Sequence, residues 1–285
     1  MTETKATASP VIDLMDESFD SKKSNTYHLS ILSSGNNFSF TVLDTNSNKY
    51  LVLKSDKSTM EFFENNFKSV TCAVSHNKFA LIPSALFDEE KKESLLGFNH
   101  PAEKDETIYF NTMRNLDAKN LFVISKELET SIKKQFPNVK FIHHSTSFIE
   151  GLLVQHKNNS GKKVFADFTL PLSSGRGVGG EVGYFTVAIL NGRELVFSNS
   201  FTYLTAEDVA YYILFVYEQM HLNTEETELV LSGSIEKNAK EHSLLYNYIR
   251  HVKFASLPND FQYSYKLEEI PSHTFYSLFT QYLCV

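Results

Sequence analysis

A run of glycines in the second half of the sequence has the spacing of a phosphate-binding loop. Residues 175–182, Gly-Arg-Gly-Val-Gly-Gly-Glu-Val, match the pattern G-x-G-x-x-G, whose backbone amides approach phosphate closely in dinucleotide-binding proteins. Those proteins place a helix directly after the loop, whereas residues 184–190 alternate in the manner of a strand. We therefore expect an elongated hairpin tip. Gly175 and Gly177 are either part of a flexible turn or contacts to phosphate in a split nucleotide site.

Two other phosphate-binding motifs are excluded by the residues around them. A protein kinase also carries a glycine-rich hairpin, but Leu190 stands where its phosphate-pairing lysine is required, and neither H-R-D nor D-F-G follows. The segment Gly161-Lys162-Lys163 resembles a P-loop only in part. His156 occupies the place of the first glycine, and Lys163 that of the serine or threonine.

Residue types that bind metals or act as nucleophiles form no recognisable motif. His143 and His144 are neighbours and would point to opposite faces of a strand. The sequence contains no H-E-x-x-H, no cluster of cysteines and histidines, and no G-x-S-x-G. We therefore predict neither metal ligands nor catalytic residues.

The composition narrows the choice of partner and compartment. The 285 residues are 42% hydrophobic, and 27 Lys+Arg against 34 Asp+Glu give a net charge of -7, which argues against nucleic acid and anionic membranes as partners. Cys72 and Cys284 form no disulfide framework, and residues 1–23 lack the pattern of a signal peptide. No apolar run approaches the roughly 18 residues of a membrane span. We expect a cytoplasmic protein whose acidic residues 1–24 form a flexible tail.

The sequence contains an internal repeat. Leu-Ser-Ser-Gly occurs at 32–35 and 172–175, and Phe-Thr-Val at 40–42 and 185–187, the latter two 145 residues apart. In each copy, short β-branched and aromatic runs alternate with turn residues, which predicts three successive antiparallel strands. Asn191-Gly192 predicts a type I′ hairpin turn, with positive φ at both residues.

A helix and further strands follow each set of three strands. Thr205 and Asp208 have the spacing of a capping box before a helix that is expected to end near His221. The other predicted helices cover residues 58–67, 126–136, 147–155 and 240–251. Further strands are predicted at residues 70–74, 107–110, 121–124, 139–142 and 228–231. The pattern indicates an α/β chain of two related halves, residues 25–160 and 161–285.

This order of elements resembles the duplicated fold of actin, the sugar kinases and the Hsp70 chaperones, an RNase H-like fold in which each half has a mixed sheet and flanking helices. The chain beyond Tyr27 also resembles a bacterial family, domain of unknown function 3822. The resemblance depends on these segments: Leu81-Ile82-Pro83-Ser84-Ala85-Leu86-Phe87, Phe197-Ser198-Asn199-Ser200-Phe201, Thr205-x-Glu207-Asp208, Tyr211-Tyr212, Leu214, Glu218-Gln219, Leu231-Ser232-Gly233 and Tyr248-Ile249-Arg250.

The actin-like resemblance implies a nucleotide in the cleft between the halves, with an acidic residue on the first strand of each half. In the second half Asp167 matches this position, whereas residues 27–32 of the first half offer only His28 and Ser30. Ser232-Gly233 is similar to the adenosine-side motif but lacks its second glycine. The candidate contacts to ATP and magnesium are therefore Asp167, Gly175, Gly177, Ser232 and Gly233.

Because one of the two carboxylates is missing, these residues favour an actin-like protein without a catalytic role or cofactor, acting through a protein partner as an interaction module or scaffold. The alternatives are nucleotide binding without turnover, and a weak ATPase or phosphotransferase. The sequence does not identify the partner. It does predict that the two halves share one strand order, and that Asp167 faces the cleft without a second carboxylate from residues 27–32.

Overall fold

The computed structural model describes residues 12–35, 37–56, 66–168 and 183–285. The strands, in chain order, are β1 (Ile12–Met15), β2 (Tyr27–Ser34), β3 (Asn37–Asp44), β4 (Lys49–Asp56), β5 (Ser69–Val74), β6 (Phe79–Pro83), β7 (Glu106–Thr112), β8 (Ala118–Ser125), β9 (Lys140–His143), β10 (Lys162–Phe168), β11 (Gly183–Asn191), β12 (Glu194–Tyr203), β13 (Leu229–Gly233), β14 (Val252–Phe254) and β15 (Gln262–Tyr263). The helices are α1 (Lys92–Gly97), α2 (Lys126–Gln135), α3 (His144–Gln155), α4 (Ala206–Gln219), α5 (Lys240–Tyr248) and α6 (Tyr276–Phe279).

Two mixed sheets share one strand order. The first runs β4-β3-β2-β5-β9 and the second β12-β11-β10-β13-β14. In each, the first three strands along the chain pair antiparallel and the next two add in parallel. Each also has a register shift between its second and third strands, at Val42/Leu43 and at Ile189/Leu190. This agreement is what an internal duplication predicts.

A separate three-stranded antiparallel sheet, β6-β8-β7, lies between β5 and β9 in the chain. The strands predicted at residues 107–110 and 121–124 belong to it and not to the sheet of the first half. The physical reason is local: β7 and β8 are joined by a short connection and pair as a hairpin, whereas joining the parallel sheet requires a long crossover. Asn115, in the hairpin loop, donates from Nδ2 to Glu150 Oε2 of α3 over 2.6 Å.

The turn and cap signals are confirmed with one change. Thr205 and Asp208 form the predicted capping box at the start of α4. The hairpin β11–β12 is also present, but positive φ occurs at Gly192 alone (φ 60) and not at Asn191. Asn191 is paired with Glu194, so the two turn residues are Gly192 and Arg193, the pattern of a type II′ turn. Most of the helix predicted at residues 58–67 lies outside the described ranges.

Much of the segment formed by the last thirty residues packs against the first half, although His273 bonds Gly233 and Ile235 of the second. β15 pairs with β4, and the buried ring of Tyr50 in β4 contacts Phe261, Tyr263 and Phe279. Chain order alone places this segment in the second half, because its apolar residues carry no sign of which sheet they cover. The described part of the predicted N-terminal tail is also packed, since β1 pairs with β4 and Asp16 forms an ion pair with Lys49 at 2.9 Å.

Helices α3 and α6 lie between the two sheets. Phe148 and Leu152 of α3 share one buried cluster with Tyr276 of α6 and with Phe165 and Ala188 of the second sheet. The inner face of the second sheet is therefore covered by elements that also contact the first. Within the described ranges, every helix falls short of the length and hydrophobicity that a membrane span requires.

Candidate functional site between the two sheets

A row of polar side chains crosses the inner face of the second sheet. It occupies directly paired positions on four neighbouring strands, namely Ser232, Asp167, Thr186 and Ser200. The Ser232 hydroxyl donates to Asp167 Oδ1 over 2.5 Å, and the hydroxyls of Thr186 and Ser200 are 2.7 Å apart. The neighbours of Asp167 on this face are the apolar residues of the cluster beneath α3, so the row is a polar band inside the molecule.

Asp167 is the one carboxylate in this row, and its side chain is buried. Burial raises the pKa of Asp167 to about 6, because the charged form loses its hydration, and the hydrogen bond from Ser232 opposes this change. Burial, and to a lesser degree the charge of Asp167, also raises the pKa of Tyr276. Burial therefore outweighs the hydrogen bond from Ser232 and favours the neutral carboxyl group.

The first sheet has a matching row in which the carboxylate is absent. Ser30 in β2 is paired with Thr41 in β3 and with Thr71 in β5. Asp167 has neighbours of the same kind, a threonine on the second strand and a hydroxyl residue on the fourth. Ser30 thus stands where the second acidic residue of an actin-like ATPase would be.

A glutamine from the C-terminal segment contacts the first row. Thr71 Oγ1 donates to Gln281 Oε1 over 2.8 Å, and Gln281 Nε2 donates to the carbonyl of Ile31 over 3.0 Å. With the Thr71 hydrogen committed to Gln281, His28 Nε2 donates to Thr71 Oγ1 (3.1 Å) and His28 Nδ1 accepts from Ser69 (2.8 Å). Burial lowers the pKa of His28 to about 3, which fits this neutral form.

Three of the five candidate nucleotide contacts come together. Asp167, Ser232 and Gly233 lie on the adjacent parallel strands β10 and β13, near their carboxyl ends. Gly175 and Gly177 belong to residues 169–182, outside the described ranges, as does the predicted hairpin tip.

Gly233 has a structural requirement of its own. Its φ is 81°, and its N–H donates to the carbonyl of His273 over 2.8 Å. The next residue, Ser234, donates its N–H to the carbonyl of Phe168 over 2.8 Å. Gly233 therefore allows the chain to cross the end of β10 at close range.

The two halves are also joined by polar and aromatic contacts that have no sequence motif. The hydroxyls of Ser75, which follows β5, and Tyr184, in β11, are 2.8 Å apart and buried. The His144 ring lies 5.8 Å from that of Tyr184, centroid to centroid. Tyr276 donates from Oη to Gln155 Oε1 over 2.5 Å. The partners are between 40 and 121 residues apart in the chain, so no local sequence pattern indicates these contacts.

The described residues supply one of the two carboxylates that the actin-like resemblance implies for a magnesium nucleotide. A magnesium ion is bound octahedrally through one or two carboxylates together with phosphate oxygens and water. Here the carboxylate is Asp167, whose Oδ1 accepts from Ser232, and the matching position of the first sheet holds Ser30. Across residues 12–35, 37–56, 66–168 and 183–285, no group of three His, Cys, Asp or Glu side chains is placed to hold a metal.

Comparisons with known proteins identify the family and the fold of the chain. A family model described as "Protein of unknown function (DUF3822)" matches residues 16–252. A Bacteroides thetaiotaomicron protein with an actin-like ATPase fold and unknown function superposes with a TM-score of 0.73 at 24% identity, over 88% of this chain and 97% of that one. The PilM-PilN type IV pilus biogenesis complex superposes with a TM-score of 0.52 at 12% identity, over 90% and 98%. No curated protein sequence matches the chain.

Proposed function

The chain belongs to the DUF3822 family of proteins of unknown function and has the actin-like ATPase fold, and from this premise we propose that it acts without catalysis by binding another protein. The proposal concerns what the space between the halves is used for. In the enzymes of this fold that space receives nucleotide; here it would serve to hold the two halves together.

The observation that carries the proposal is the occupation of that space by the protein's own side chains. Gln281 bonds Thr71 and the carbonyl of Ile31 in the first half. Ser75 and Tyr184 meet across the halves. Each of these side chains is buried, so a ligand that displaces one without replacing its contacts would break a buried hydrogen bond, at a cost of about 1–3 kcal/mol. A nucleotide would have to overcome several such losses.

A surface suited to a protein partner lies on the outer side of the second half. Four exposed aromatic side chains occur on its two helices: Tyr211 and Phe215 on α4, and Tyr246 and Tyr248 on α5. The rings of Tyr211 and Phe215 stack at 6.2 Å. Aromatic residues are enriched in protein interfaces because they bury a large area with few rotatable bonds.

The two helices pack against the same face of the second sheet. Near the helix starts, Lys240 Nζ lies 2.5 Å from Glu207 Oε1, and beyond the helix ends Arg250 Nη1 lies 3.1 Å from Glu225 Oε2. The helices therefore run side by side in the same direction. The ion pairs neutralise both ends, and Glu218 adds an acidic group, so the face fits an apolar partner segment with basic residues.

The related fold of PilM offers a precedent, because PilM forms a complex with a protein, PilN. At 12% identity the likeness concerns the fold alone. It supports the general idea that an actin-like body can work through a protein partner.

We expect Mg-ATP to leave the thermal unfolding temperature of the chain unchanged. A ligand at 100 times its Kd would add about 2.7 kcal/mol, which corresponds to a shift of several degrees for a chain of this length. The measurement is differential scanning fluorimetry with and without Mg-ATP, on the wild type and on Asp167→Asn. A shift in the wild type that Asp167→Asn abolishes would replace the proposal by nucleotide binding at this site.

Nucleotide binding is the alternative function, and one observation favours it. Asp167, Ser232 and Gly233 converge at the carboxyl ends of neighbouring parallel strands, where open α/β sheets bind ligands. The glycines at 175 and 177 follow β10 in the sequence and would complete such a site. The same thermal measurement separates the two functions.

Replacing two of the exposed rings should abolish partner binding while leaving stability within about 0.5 kcal/mol, since surface substitutions rarely cost more. The test is affinity capture from extracts of the source cells with quantitative mass spectrometry. We expect a protein retained by the wild type to fall at least about tenfold, or 1.4 kcal/mol, with Tyr211→Ser/Tyr246→Ser.

The control for this capture is Phe98→Ser, which removes an even more exposed ring from the region of the separate three-stranded sheet. Its retained proteins should be those of the wild type. Equal capture by all three forms would contradict a role for the helical face.

A further inference from the structure

Strand β12 forms an open edge of the second sheet. It is ten residues long, it pairs with β11 on one side, and no described strand lies on its other side. Between Leu195 and Tyr203 it contains no charged residue and no proline. Natural edge strands are protected by lysine, proline or bulges against pairing with another chain. From Phe197 onward β12 lacks all three.

Backbone hydrogen bonds elsewhere in the sheet fix which way each residue of β10 faces. The N–H of Val164 donates to the carbonyl of Glu228 over 3.0 Å, and the carbonyl of Phe168 accepts from Ser234 over 2.8 Å. The backbone N–H and C=O groups of Val164 and Phe168 therefore point toward β13. Because this direction alternates along a strand, the backbone groups of Asp167 point toward β11.

The same alternation extends to the edge. The backbone N–H and C=O groups of Thr186, which is paired with Asp167, point toward β10. Those of the next residue, Val187, therefore point toward β12, and those of its partner Asn199 point toward β11. The alternate residues of β12 thus turn their N–H and C=O groups outward, namely Ser198, Ser200 and Thr202. Independent support comes from the N–H of Ser200, which donates to Oδ1 of its neighbour Asn199 over 2.9 Å.

The centre of this edge is self-complementary. Residues 197–201, Phe-Ser-Asn-Ser-Phe, are the same in both directions. If a second copy pairs antiparallel with Asn199 opposite Asn199, then Ser198 of one chain lies opposite Ser200 of the other. The backbone N–H and C=O groups of both residues point away from β11, so in this register Ser198 of each chain can form hydrogen bonds with Ser200 of the other.

The aromatic rings beside the edge are incompletely covered. Phe201 stacks on Tyr212 of α4 at 4.9 Å, yet both rings remain partly exposed, as does Phe197. In the same register, Phe197 of one copy lies opposite Phe201 of the other on the α4 side of the sheet. Cross-strand aromatic pairs contribute to sheet pairing beyond the buried area itself.

We propose that two copies of the chain associate through β12 about a two-fold axis at Asn199, joining their second sheets into one continuous ten-stranded sheet. We assign a second copy to the open edge for two reasons. Residues 197–201 have the same side chains when read in either direction, and in the antiparallel register their outward backbone groups lie opposite each other. This interface uses neither the space between the halves nor nucleotide.

The register is tested by cysteine cross-linking in the purified full chain. In Asn199→Cys the two thiols would face each other at a non-hydrogen-bonded pair, with Cβ atoms about 4.5–5.5 Å apart, so mild oxidation should convert most of the protein to a disulfide-linked dimer. The native cysteines are both buried and give little background. In the control Thr202→Cys, each thiol lies three residues from the axis, about 20 Å from its counterpart, and should not cross-link.

Charge exchange at the same position tests the association without a covalent bond. Asn199 is exposed, so Asn199→Lys and Asn199→Glu should each fold, but like charges would meet across the axis. By sedimentation equilibrium we expect the wild type to be a dimer, each variant to associate at least tenfold more weakly, and an equimolar mixture of the two to recover a heterodimer. A wild type that sediments as a monomer throughout the concentration series, or variants that dimerise as well as the wild type, would overturn the proposal.

Discussion

Replacing Gly233 by alanine is expected to cost about 2–5 kcal/mol in the free energy of unfolding. An added Cβ would lie 1.9 Å from the carbonyl oxygen of Phe168 and 2.7 Å from its carbonyl carbon. These are backbone atoms of β10, so they cannot withdraw without breaking the pairing with β13. The φ of 81° adds about 1–2 kcal/mol of backbone strain, and overpacking of this kind adds a further 1–3 kcal/mol.

Gly161→Ala is the matched control for this prediction. Gly161 has the same φ of 81°, but its added Cβ would meet no atom within 4 Å. Its expected cost is the backbone strain alone, about 1–2 kcal/mol. Both variants are compared with the wild type by urea unfolding. Equal losses at the two glycines would mean that the contact with Phe168 is not the cause.

Asp167→Asn is expected to stabilise the chain at neutral pH by about 3 kcal/mol. The folded-state pKa of about 6 lies above the ordinary value of 3.8, so the native chain binds this proton more tightly than the unfolded chain. The stability contributed by the protonated carboxyl is complete below about pH 4 and is lost as the pH rises through 6. Asparagine stays neutral and still accepts from Ser232, so it retains this stability at neutral pH.

The stability difference between Asp167→Asn and the wild type should therefore grow between about pH 4 and about pH 6.5 and stay constant above that. Urea unfolding across this range measures it. Asp105→Asn, at an exposed carboxylate, is the control and should change stability by no more than about 0.5 kcal/mol at any pH. A variant less stable than the wild type at neutral pH would mean that a positive group holds the carboxylate charged.

Short-range signals in the sequence predicted most elements of the fold. The capping box at Thr205 depends on residues three apart, and the hairpin at Gly192 depends on a two-residue turn. The repeat also predicted one strand order for the two sheets, since the same succession of strands and crossovers constrains the topology of each half. The wrong turn type arose because Asn191 pairs in the strand and leaves the positive φ to Gly192 alone.

The candidate site could be predicted only where a resemblance supplied it. Asp167 and Ser232 are 65 residues apart and meet because β10 and β13 pair in parallel. No comparable motif indicates Gln281 or Tyr276, because the path of the last thirty residues depends on which sheet face remains uncovered after the rest has folded. Ser75 and Tyr184 were missed for the same reason, since each is an ordinary polar residue until the two halves meet.

The shared outer edge of β4 has a consequence for biosynthesis. β1 pairs with residues 52–55 of β4, and β15 pairs with Lys49 and Tyr50 beside them. Translation continues for about 200 residues after β4 before β15 is made, or about 10–40 s at cellular rates. During that interval the nascent first half has an open strand edge and lacks Gln281 beside Thr71. The first half can therefore be completed only after the ribosome has translated residue 281.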